Sequence, residues 1–147
     1  MELCLKMELN VLLVSLLPMD EELFIDKGQV RDIKLFEHAL DRAKERDDEY
    51  SIKVYINDHV NGYMAGVISR KSNVKLHNRN FEIHNEDDFP PVVWLWDRSE
   101  QVILVENKTS VFSSANIAAK TFSNISNNII LAEHGFRAHV YPKTVDS

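Results

Sequence analysis

The sequence predicts an α+β fold: a mixed, largely antiparallel sheet with two main helices, over about 28–48 and 113–134. Short apolar or alternating segments, closed off by Pro, Asn and Asp, read as strands, and two longer stretches repeat their apolar residues three and four apart. Their order is strand, helix, three or four strands, helix, strand, which is the α+β arrangement rather than the alternation of a parallel sheet. With 147 residues, 44% of them apolar and 27% charged, the chain has material for one ordinary core, and we read 1–147 as a single domain.

Leu9 to Leu17 is short, mostly apolar and stopped by Pro18, as expected of an interior strand buried on both faces. Ile33, Phe36, Leu40 and Ala43 then mark one side of a helix from about Gly28 to Asp48, while Lys34, Glu37, Asp41, Lys44 and Glu45 mark a solvated side. Ser51 to Ile56 alternates with period two, breaks at Asn57-Asp58-His59 and resumes from Val60 to Ser69, which predicts a hairpin. From Arg70 to Asp88 the composition turns polar and predicts a loop, with Phe81-Glu82-Ile83 as a short edge strand within it.

Val92 to Trp96, a turn at Asp97–Glu100, and Gln101 to Val105 make the Val92–Val105 hairpin. A turn centred near Arg98 and Ser99 sets Trp94 near Leu104 and Trp96 near Val102. Both faces of this hairpin are apolar, so it is expected at the centre of the sheet, covered on each side. In the second helix Ser113 is placed to cap the first turn, with Phe112 packing on Ile117. Ala118, Phe122, Ile125, Ile129 and Ala132 form its apolar stripe, and Gly135 stops it. Its polar side, with Asn116, Lys120, Ser123, Asn124 and Asn127, carries almost no charge. Arg137 to Tyr141 is the last strand, ended by Pro142.

Composition narrows the function. Four glycines, none in a GxxxxGK[ST] or GxGxxG pattern, exclude the usual glycine-rich phosphate cradles. A single cysteine, Cys4, excludes an intrachain disulfide and fits a reducing, cytoplasmic setting. Glu2 and Glu8 flank the first leucines where a signal peptide would have a basic start, so the two Asn-X-Ser/Thr sequons carry no weight. The longest apolar stretch, Val11 to Leu17, is too short to span a bilayer, so no membrane partner is expected. Seventeen Lys and Arg against 23 Asp and Glu give a formal charge of −6, which argues against general nucleic-acid affinity.

Among chemical motifs, Glu106-Asn107-Lys108 closes a buried strand. An acid two residues before a lysine puts both side chains on one face, where a carboxylate can hold a divalent cation while an ammonium polarises water or phosphate. From residue 30 onward the element order resembles the nuclease core written PD-(D/E)XK. That resemblance implies a metal-dependent phosphodiesterase with Glu106 and Lys108 catalytic, Asp88 and Glu106 as metal ligands, and Mg or Mn as the cofactor. Two features depart from it: the predicted register sets Glu106 opposite Val92, with Asp88 four residues further away, and Asp87 stands where the pattern has proline.

His38, His59, His77, His84, His134 and His139 show no HxH, HExxH or i, i+4 pairing, so their spacing builds no metal site, and His134 reads as a helix C-terminal residue. No GxSxG elbow is present, and Cys4 reads as a small core residue. Trp94 and Trp96 sit among acids rather than in the basic groove of a base-stacking platform, so they read as core. Asp47-Asp48-Glu49, with Asp41 and Glu45, reads as a solvated helix end. Asn85 to Asp88 lacks the spacing of an EF-hand loop. The reading these residues favour is a non-catalytic macromolecular interaction domain of a soluble cytoplasmic protein, with a protein partner and without a cofactor. It would serve as the N-terminal domain or a small subunit of a larger assembly; the metal-dependent nuclease is the alternative.

Overall fold

The computed structural model describes residues 8–19, 32–43 and 50–143. Cys4, the Asp47-Asp48-Glu49 cluster and both ends of the first predicted helix lie outside them. Strands β1 (Leu9–Pro18), β2 (Tyr50–Asp58), β3 (Tyr63–Arg70), β6 (Pro91–Asp97), β7 (Val102–Glu106) and β8 (Phe136–Pro142) form one sheet in the order β2-β3-β6-β7-β1-β8. Strands β4 (Ser72–His77) and β5 (Ile83–Asp88) form a separate two-stranded ribbon. Every pairing among the described residues is antiparallel, so the α+β fold holds with a sheet of the largely antiparallel kind expected.

The Val92–Val105 hairpin is the centre of this sheet, third and fourth of six strands. Its register differs by one residue from the expected one: Trp94 pairs with Val105 and Trp96 with Ile103. The turn takes in Gln101, whose φ of 53° lies in the left-handed region, and that extra residue moves the partner strand on by one. Trp94, Trp96, Ile103 and Val105 therefore share one face and are fully buried.

Helices α1 (Lys34–Arg42), α2 (Ala115–Ser126) and α3 (Ile129–Glu133) cover that face. Phe36 of α1 packs on Trp96 with ring centroids 4.8 Å apart, and Phe122 of α2 meets Trp94 edge-on at 5.9 Å. On the opposite face, expected to be covered, no described helix packs: Val93 is 48% exposed, while Val11, Leu13, Leu95, Val102 and Leu104 are half-buried. β1 likewise alternates, with only Leu12, Val14 and Leu16 buried, instead of being buried on both faces.

Other boundaries shift for local reasons. Among the described residues α1 begins at Lys34, whose N–H donates to the Asp32 carboxylate, inside the expected 28–48 span. The expected 113–134 helix is two helices, because Asn127 and Asn128 turn their side chains onto backbone groups and interrupt the ladder. The Asn128 side chain accepts from Ile130 N–H to start α3 and donates to the Ala39 carbonyl of α1. Ser114, not Ser113, caps α2 by accepting from Ile117 N–H. Gly135, at φ 77°, closes α3 as expected. The predicted Arg70–Asp88 loop is the β4–β5 ribbon, and Phe81, expected in a strand, occupies its turn at φ 63°. In β2 a bulge follows Val54, and opposite it Gly66 lets the Lys53 carbonyl approach so closely that a Cβ would run into it.

Candidate functional site

Glu106 ends β7 on the open face, paired with Leu9 of β1. Continuing the β6–β7 register by one step sets it opposite Val93 rather than Val92, and its carboxylate accepts from Val93 N–H at 3.3 Å. The Lys108 ammonium donates to the Pro91 carbonyl at 3.3 Å. Both groups thus hold the start of β6 in place. Asp88 ends β5, in the other sheet, opposite Ser72. Among the described residues no three His, Cys, Asp or Glu side chains come together in a way that could hold a metal ion.

A charged cluster that sequence reasoning assigned to solvent is largely internal. Glu37 of α1 is 3% exposed, although the periodicity placed it on the solvated side. It accepts from Arg98 Nε at 2.6 Å and Nη2 at 2.8 Å, and from Trp96 Nε1 at 3.1 Å. Arg98 also donates to the His59 carbonyl, and its backbone N–H donates to that of Gly62. Gly62 has φ 79°, and a Cβ there would come within 2.8 Å of Arg98 Cβ, so glycine gives the guanidinium its path. Burial by itself would raise the Glu37 carboxyl, but the hydrogen bonds from Arg98 and Trp96 and the Arg98 charge outweigh it and hold the pKa below the ordinary value. The same contacts raise Arg98 further. This cluster clamps α1 to the β2–β3 and β6–β7 turns. Asp58, in the β2–β3 turn, is lowered by the side-chain and backbone donors of Asn61.

The fold brings together two histidines that lie 96 positions apart in the chain (134 − 38). His38, Asp41 and Arg42 of α1, with His134 at the end of α3, line a groove of about 350 Å³ floored by Leu35 and Ile130. The Ile130 carbonyl can only accept, so His134 Nδ1, 2.9 Å away, carries a proton. The remaining histidines are spread out: His59 is in a turn, His77 and His84 on the ribbon, and His139 on β8, stacked on Tyr141.

A further feature among the described residues is the open sheet face. Pairing aligns Val11, Leu104, Leu95 and Ala65 in one row from β1 to β3, extended by Ile56 on β2, which is 59% exposed. Leu13 and Val102 flank this row on one side, Val93 and Val67 on the other. An antiparallel sheet that faces water normally alternates apolar-in with polar-out, and here the outward set is apolar in the middle of these strands as well.

Among the described residues, the fold is a two-layer α+β arrangement whose sheet has one helix-covered side and one side with an apolar centre that no described helix covers. Comparison with known families, curated proteins and solved structures finds no match for the chain. Among the described residues no helix is long and apolar enough to cross a membrane.

Proposed function

We propose that this chain is a non-catalytic macromolecular interaction domain of a cytoplasmic protein, part of a longer chain or a small subunit, whose binding surface is the open face of the sheet. One observation supports the reading above the others: the middle of the four strands from β1 to β3 turns an apolar surface outward that no described helix covers. Contiguous apolar surface of this extent marks interaction sites in soluble proteins. A metal-dependent phosphodiesterase would need Asp88 and Glu106 side by side around Mg or Mn, with Lys108 free to reach the substrate. Glu106 and Lys108 instead end on the Val93 and Pro91 backbone.

The test compares wild type with Leu104→Lys in affinity capture from the native host, alongside incubation with single- and double-stranded DNA and RNA in magnesium or manganese. Capture that Leu104→Lys abolishes, together with intact nucleic acid, is expected. Cleavage that disappears in both Glu106→Ala and Lys108→Ala, with wild-type melting temperatures, would replace this reading with the nuclease.

A further inference from the structure

We infer that the occupant of the open face is a second copy of this chain, packed face to face into a four-layer helix–sheet–sheet–helix dimer. The inference rests on the interaction-domain reading and adds the identity of the partner. The argument is first one of area. Six strands about 4.8 Å apart and about six residues deep, at about 3.3 Å each, make a plane of roughly 24 by 20 Å, apolar in the middle of the four strands from β1 to β3 and largely polar along β2 and β8, as core and rim. Two such planes hide about 1,000 Å² before side-chain relief is added, the size a specific interface has to reach. A shallower or narrower face would not sustain a pair.

Shape and charge then favour a copy over a foreign partner. The two faces of such a pair are identical, and a twofold axis in the plane between two sheets places the same side chains on both sides at the roughly 10 Å separation of stacked sheets. The chain carries a formal charge of −6, so most of its surface repels a second copy. On this face Lys53 and Arg137 stand against Asp58, Asp97 and Glu106. All three carboxylates are already engaged within the molecule: Asp58 by the Val60 and Asn61 amides, Asp97 by Ser99 and Glu106 by Val93 N–H. A face with an apolar centre and charges of both signs around it offers no single-sign field to a nucleic acid or to a strongly charged protein.

Sedimentation velocity over a range of micromolar concentrations tests this on the full chain, with Val93→Arg and Leu95→Lys as separate variants and Ile129→Lys as a control. Val93 is 48% exposed in one copy, so arginine there has room in the monomer. Ile129 is an exposed apolar residue on the helix layer. Wild type and Ile129→Lys should sediment as dimers, while either face variant raises the dissociation constant by about 30-fold or more with its circular dichroism unchanged. Wild type that stays monomeric throughout, or dimers that survive both face variants, would overturn the inference. A monomeric wild type whose host partner is still lost in Leu104→Lys would leave the interaction-domain reading standing. A monomer with no face-dependent partner would remove both.

Discussion

Glu37 shows how a charged residue becomes part of the core. It follows Phe36 and lies three positions before Leu40, at the shoulder of the apolar stripe, where the helix meets Trp96. Its partner Arg98 is 61 positions away, so no local pattern could announce the pair, whereas the phenylalanine and leucine beside it were plain from spacing alone. Replacing it by glutamine keeps the size and removes the charge. Because the folded pKa is lowered, the stabilisation is fully present above the ordinary value of 4.5 and is lost as pH falls through the folded value. Glu37→Gln should therefore cost on the order of 1 kcal/mol at pH 7, discounted because the Arg98 end is solvated. The difference in urea midpoint between wild type and variant should shrink well below pH 4.5. A difference of the same size at pH 3 and pH 7 would show that the charge contributes nothing.

At the scale of elements, the strands were legible because their period of two is local, and the covered hairpin face was legible because tryptophans are hard to leave in water. The ribbon was not, since β4 offers only Val74 and Leu76 as alternating apolar positions and β5 only Ile83, on a two-stranded sheet with little core to serve. The uncharged polar side of α2 had no explanation in the sequence and has one in the fold. β8 is an edge strand, and α2 lies along that edge. Ser123 Oγ accepts from Val140 N–H at 2.9 Å, and Asn127 both accepts from Ala138 N–H at 2.6 Å and donates to the Ala138 carbonyl at 2.9 Å. Side chains thus stand in for a missing neighbour strand and close the edge to further pairing. Asn127→Ala should lower stability by about 1–3 kcal/mol, because Ala138 is buried and its polar groups lose their partners. Asn124→Ala, exposed on the same helix, should stay within about 0.5 kcal/mol. Equal thermal shifts in the two variants would mean that the edge is closed by something other than Asn127.

For the whole molecule, a hairpin apolar on both faces implies a layer on each side, and the described residues supply helices for only one. Sequence could show that the second layer was needed. It could not show where the layer would come from, since a one-residue register change decides which side chains face it and nothing in the chain's own order names a partner. If the missing layer is another copy, stability and concentration are linked, because unfolding then separates two chains. Tenfold more protein is worth about 1.4 kcal/mol per dimer. The unfolding entropy of two 147-residue chains, at about 2.1 cal/mol/K per residue, is roughly 0.6 kcal/mol/K. The melting temperature of wild type should then rise by about 2 °C for each tenfold increase in concentration. In Val93→Arg, which places a cation at the centre of the contact, the melting temperature should not move with concentration. A wild-type curve as flat as that of the variant, across two decades, would mean that one chain melts alone and the bare face serves some other partner.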